Sequence, residues 1–206
     1  MATATLILGR PGAGKSRLLR RLLEGAPRVV VSDTLGEHSE TAPGLAYDDA
    51  LDALKDDASE MRFSVTPPDY ACEEYLERCV AARRNLAFAV DELDFWYPSA
   101  QNPVGEGIRN LIRYGRHYGQ HLYVCVRRPA NVARDVSALA DAWIFPLREP
   151  RDCAFIRAYC GVDPSTLPPP ERDAAGRVVS TCVLHVGDGD TEDWTFAPGT
   201  MQLYQD

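Results

Sequence analysis

Short apolar runs alternate with amphipathic stretches along most of this chain, and their order predicts a layered α/β protein. ATLIL, ending at Gly9, reads as a buried strand, and SRLLRRLLEG after it has helical periodicity that stops at Gly25. VVVSD (29–33) is a β-branched run of the kind found in a parallel strand covered on both faces. Residues 34–60 are acidic and poor in large apolar side chains, which predicts a loop with a surface helix around ALDALKDDA. MRFSV reads as a strand broken by Pro67 and Pro68, and DYACEEYLERCVAARR as an amphipathic helix capped by Asp69.

The second half repeats the alternation. LAFAVDE (86–92) is an apolar run ending in two carboxylates, followed by the aromatic, proline-bearing loop FWYPSAQNPVGEG and the helix IRNLIRYGRHYG. Then come a strand HLYVCV, a short helix near 132–140, a strand AWIFPL and a helix EPRDCAFIRAYCG. PSTLPPPERDAAG is a proline-rich connector, and RVVSTCVLHV and DWTFA flank GDGD as a β-hairpin. The pattern predicts one domain over 1–206: a three-layer sandwich with a mostly parallel central sheet, to which residues 161–206 append a connector and hairpin.

Composition narrows the class. At 206 residues with 45% hydrophobic and 25% charged side chains, the chain suits one globular domain, and no apolar run is long enough to span a membrane. No signal sequence opens it, so a cytosolic protein is expected. The six cysteines form no C-x-x-C pair, which predicts buried free thiols. The net charge of −8 is uneven: residues 109–157 carry +5, leaving −13 elsewhere. That arginine-rich window is the part able to meet an anion.

The chain has only two lysines, and one of them, Lys15, sits inside GRPGAGKS, Gly9–Ser16. This is the complete G-x-x-x-x-G-K-[ST] pattern between a strand and a helix, the context that a phosphate-binding loop needs. Gly9, Arg10, Pro11, Gly12, Ala13, Gly14, Lys15, Ser16 and Arg17 are therefore the candidate nucleotide-binding residues, for ATP. A compact ammonium reaches between β- and γ-phosphates where a guanidinium fork fits badly, which explains the lysine. The Ser16 hydroxyl suits Mg²⁺.

Asp91 and Glu92 emerge at the C-terminal end of a strand, where open α/β sheets bind ligands. Asp91 is the second candidate for Mg²⁺, held through water, and Glu92 the candidate base that orients and deprotonates an attacking water. The second carboxylate favours hydrolysis over transfer to a metabolite. A plain helix-capping role for Glu92 or Asp94 is the alternative.

Residues 112–156 resemble the segment that follows the Walker B strand in the FtsK/HerA family of DNA-pumping ATPases. Gly115-Arg116, Gly119, His121, Arg128-Pro129 and Asp152 carry the likeness, and within the family it is strongest to genome-packaging ATPases of tailless, membrane-containing icosahedral viruses. The resemblance implies a homo-oligomeric ring of five or six subunits that threads double-stranded DNA into a preformed capsid, in the host cytoplasm and at a packaging vertex. It also implies an arginine supplied to a neighbour's site, with Arg116 as first candidate and Arg113 as second. Where the family has glutamine at the strand end, this chain has Arg127, which puts a phosphate contact or a finger role within its own subunit in play. Arg109, Arg128 and Arg134 are weaker candidates for DNA phosphates. A soluble nucleotide or small-molecule kinase, and a nucleotide switch without catalysis, remain the other two readings.

Overall fold

The computed structural model describes residues 4–101, 103–137, 140–174, 176, 178–186, 191–197 and 202–205. The elements are β1 (Ala4–Leu8), α1 (Lys15–Leu23), β2 (Arg28–Ser32), β3 (Gly44–Leu45), α2 (Tyr47–Asp56), β4 (Met61–Val65) and α3 (Tyr70–Ala81). They continue with β5 (Ala87–Val90), α4 (Leu93–Trp96), α5 (Glu106–Tyr114), β6 (His121–Val126), α6 (Arg134–Ser137), β7 (Ala140–Ile144) and α7 (Pro150–Cys160). The chain closes with β8 (Glu171–Arg172), β9 (Val178–His185), β10 (Thr191–Ala197) and β11 (Gln202–Gln205).

The sheet runs β11-β10-β9-β7-β1-β6-β5-β2-β4-β3, with β8 pairing β9. From β7 to β3 every pairing is parallel, and β9 to β11 continue the sheet antiparallel from the β7 edge. The sheet is thus mostly parallel, as expected, with the C-terminal hairpin strands in place. The GDGD turn, at 187–190, and residues 138–139 of the expected short helix lie outside the described residues.

Alternation along the strands sorts the core into two layers. Leu6, Leu8, Val30, Phe88, Val90, Leu122, Val124 and Val126 face one side, where Leu54 of α2, Leu76 of α3, Leu111 of α5 and Ile156 of α7 cover them. Ile7, Val29, Val31, Ala89, Cys125 and Trp143 face the other, under Leu18, Leu19 and Leu23 of α1. Both faces of the central strands are therefore buried, the reason these runs are continuously apolar. Among the described residues, one face carries most of the helices and the other α1 alone.

Local signals account for the element ends. The Asp69 carboxylate accepts the Cys72 N–H at 2.8 Å and caps α3. Three short strands, β3, β8 and β11, have no counterpart in the apolar pattern. The β7 run is displaced: the strand starts at Ala140, and Phe145 and Leu147 leave the sheet yet remain buried. All six cysteines are free, with Cys125, Cys153 and Cys182 buried and the other three half-buried.

Candidate nucleotide site

The strand order places β6 between β1 and β5, so the loops after these three strands meet at one edge of the sheet. The loop after β1 carries Gly9 to Gly14. Its first residue donates its N–H to Val126 O at 3.1 Å, and a Cβ built there would lie 2.7 Å from Phe145 Cβ, so only glycine fits. Gly14, just before α1, has φ 104°, a conformation that L side chains rarely adopt. Among the described residues no side chain caps α1, which leaves the Lys15 and Ser16 N–H groups and the positive end of the helix dipole directed at the loop. Lys15, 7% exposed, donates to Arg10 O at 3.3 Å from within the loop. Ser16 and Arg17 are half-buried on the same turn, and Arg10, Pro11 and Gly12 are exposed.

At the end of β5, Asp91 is buried and accepts a hydrogen bond from His38 Nε2 at 2.9 Å. Burial opposes its ionisation, but the His38 contact, the Lys15 ammonium and the Cys125 thiol outweigh it and hold the carboxyl below its ordinary value. Asp91 is thus an ionised hard oxygen donor near the Lys15 ammonium, and its carboxylate and the Ser16 hydroxyl are both of the donor type that Mg²⁺ takes.

Glu92 takes φ 61°, a left-handed conformation in a residue other than glycine, costing on the order of 1 kcal/mol. Its side chain makes no cap to α4, so the plain capping alternative does not describe it. Instead its carboxylate meets Arg127 Nη2 at 3.3 Å. Burial pushes the Glu92 carboxyl up, Arg127 and Lys15 pull it down, and the neighbouring Asp91 and Asp94 push it up; the net shift is upward. Asp94 is no cap either: its carboxylate accepts the Arg127 N–H at 3.0 Å and lies 3.9 Å from Arg127 Nε. The end of β6 is held between the two carboxylates.

The remaining arginines separate into different places. Arg113 lies in the last turn of α5 and Arg116 in the 3₁₀ turn Gly115–Tyr118, both exposed. They precede His121, which pairs with Ala87 at the start of β5, so they sit at the sheet edge opposite the phosphate loop. Arg128 lies on the loop edge, bound to Asp152 at 3.3 Å and Glu149 at 3.8 Å. It lines a cavity of about 430 Å³ with Arg10, Asp94, Arg127 and Arg148. Arg134 lines a separate groove beside Phe155 and Tyr159, while Arg109 is half-buried on α5 and lines neither. The structure does not gather Arg109, Arg128 and Arg134 into one patch.

Three contributors are missing from the sequence reading. Asp33, the last residue of VVVSD, accepts the Glu37 and His38 N–H groups, and its strand-end position, the same as that of Asp91, is the signal that points to it. His38 lies in an acidic loop with no periodicity, and Cys125 reads as one more core thiol.

No protein-family model matches the chain, and no curated protein matches it in sequence. Solved structures do match. The genome packaging NTPase B204 from Sulfolobus turreted icosahedral virus 2, in complex with AMPPCP, superposes with a TM-score of 0.72 at 17% identity, over 93% of this chain and 96% of that one. The same NTPase with ATP-gammaS gives 0.70 at 15% identity, over 99% and 96%. B204, the DNA-packaging ATPase from Sulfolobus turreted icosahedral virus, gives 0.65 at 15%, over 98% and 96%. At these identities the likeness is one of fold: nearly end to end, this chain is built on the P-loop α/β architecture of B204.

Proposed function

We propose that the chain is an ATP-hydrolysing motor that moves double-stranded DNA into a preformed viral capsid. The observation that carries this reading is the electrostatic proximity of Lys15 to both Asp91 and Glu92 at one sheet edge, in a chain that shares its fold with packaging NTPases over almost its whole length. Two of those structures are complexes with AMPPCP and ATP-gammaS, which supports ATP as the nucleotide here.

N–H groups of the loop and of the start of α1, among them those of Gly12, Gly14, Lys15 and Ser16, cradle the phosphates, and Lys15 exchanges its Arg10 carbonyl for them. Ser16 and Asp91 hold Mg²⁺, which when bound neutralises charge on the phosphate oxygens. Glu92 orients the attacking water and takes its proton, an assignment that its raised pKa and left-handed backbone both suit. Arg127, already against Glu92, is the arginine of the chain's own site. Arg116, then Arg113, are the candidates to reach a neighbour's γ-phosphate, because a site on the opposite edge is useful only to another subunit.

The motor acts as a ring of five or six copies, with DNA and the capsid or its packaging vertex as partners, in the host cytoplasm. No helix among the described residues is long and apolar enough to cross a membrane. Arg109, Arg128 and Arg134 are weaker candidates for DNA phosphates, and Arg128, already bound by two carboxylates, is the least available of them.

ATP turnover with and without double-stranded DNA tests the reading. Stimulation that fades as salt rises from low to moderate supports the motor. Stimulation by a small hydroxylated metabolite instead, with none by DNA, assigns a kinase. Mixing Arg116→Ala with Lys15→Ala subunits tests the shared site: recovery of turnover supports action across an interface, and no recovery removes Arg116.

A further inference from the structure

The segment after β2 is a surface loop in every respect but one. From Thr34 to Thr41 each residue is exposed or half-buried except His38, which is 0% exposed. Its ring faces Asp91, with Nε2 2.9 Å from Oδ2. An ionised carboxylate can only accept, so Nε2 carries the hydrogen. Nδ1 has no partner among the described residues. A leucine or phenylalanine would fill this space without an orphaned buried nitrogen, so packing alone does not reward an imidazole here.

The loop is built to aim that ring. Both oxygens of Asp33 accept backbone N–H groups, from Glu37 at 3.0 Å and His38 at 2.7 Å. Thr34 Oγ1 donates to Asp91 O at 2.8 Å, and the Asp91 N–H donates to Ser32 O at 3.0 Å. Arg20 of α1 ties the far side through Glu40 at 2.6 Å and Glu37 O at 3.3 Å. The loop is thereby fixed to the helix after the phosphate loop and to the strand end that carries Asp91.

We propose that His38 is a positioning residue of the metal site: it holds one oxygen of Asp91 so that the carboxylate meets Mg²⁺ in a single orientation. This rests on the nucleotide-site reading above and adds a residue to it. A donor behind a metal-ligating carboxylate restricts its rotation and raises metal affinity, and losing such a contact typically costs 10–100-fold in metal affinity.

Mn²⁺ binding followed by electron paramagnetic resonance, with and without ADP, tests this directly. Nucleotide affinity is measured in parallel in EDTA. For His38→Leu, nucleotide-dependent Mn²⁺ affinity falls about 10–100-fold while metal-free nucleotide affinity stays within about twofold. His38→Gln, whose amide nitrogen reaches as far as Nε2, restores most of it. If His38→Leu does not fold, His38→Asn replaces it: its shorter amide leaves Mn²⁺ weakened relative to Gln. Equal Mn²⁺ affinity in all folded variants overturns the proposal, as does an equal loss of metal-free nucleotide binding. Asp91→Asn separates the two readings. If it abolishes Mn²⁺ binding while His38→Leu does not, only the role of His38 falls. If the unmodified chain binds no Mn²⁺ with nucleotide, both fall.

Discussion

Glu73 offers a quantitative test of how the site is supported from behind. On α3 it is fully buried, and its Oε2 accepts the Ser32 hydroxyl at 2.6 Å while Oε1 has no partner among the described residues. One turn on, Glu77 is buried as well, both its oxygens 2.9 Å from the Tyr97 hydroxyl. Burial pushes the Glu73 carboxyl from 4.5 up to about 7, with the Ser32 hydrogen bond opposing. The rise from 4.5 to about 7 corresponds to about 3 kcal/mol. Because the folded chain binds this proton more tightly than the unfolded one, the stabilisation is full below the ordinary value of 4.5 and is lost as pH rises through about 7. Glu73→Gln cannot lose the proton. At pH 8 the variant is therefore more stable by about 3 kcal/mol, and at pH 6 by about 2 kcal/mol, since the natural chain has by then regained roughly 1 kcal/mol. Both conditions lie above the isoelectric point near 5.0. Urea melts of both chains at the two pH values read the difference. An advantage that does not change with pH, or a variant less stable at pH 8, refutes the reasoning.

The other predictions concern the site itself. Glu92→Gln retains ATP binding, read by fluorescent-nucleotide titration, and loses at least about 10²-fold in turnover; normal turnover rejects the base assignment. Arg127→Ala removes a charge that holds the Glu92 carboxyl down. The base works ionised, so the acidic limb of the kcat/KM profile moves to higher pH in that variant, and an unmoved limb rules out Arg127 as the partner of the base. Gly9→Ala places a methyl 2.7 Å from Phe145 Cβ and costs about 1–3 kcal/mol in a urea melt, whereas unchanged stability shows that the strand end yields.

What the sequence made legible was whatever repeats or completes a pattern. Runs such as LAFAV announce themselves because both faces of their strands are buried, and the phosphate loop because glycines, lysine and the following helix are local to one another. The pattern failed where tertiary partners decide. The amphipathic pattern of DYACEEYLERCVAARR does not mark Glu73 and Glu77 as buried, yet the hydroxyls of Ser32 and Tyr97, distant in sequence, receive them inside. AWIFPL looks like one strand, but its second half leaves the sheet at Phe145, whose N–H still reaches Leu8 O at 2.8 Å before Pro146 removes the next donor. The aromatics of FWYPSAQNPVGEG divide: Trp96 and Tyr97 enter the core and Phe95 stays exposed. His38 gave no signal, because its one informative contact joins residues 53 positions apart.

A crystal structure with a non-hydrolysable ATP analogue and Mg²⁺ examines the account at its root. The expected result is a triphosphate seated on residues 9–16, Lys15 turned from Arg10 O to the phosphates, the metal on Ser16 and Asp91, and Glu92 facing the γ-phosphate. A triphosphate bound elsewhere, or one seated there with Asp91 and Glu92 directed away from it, contradicts it.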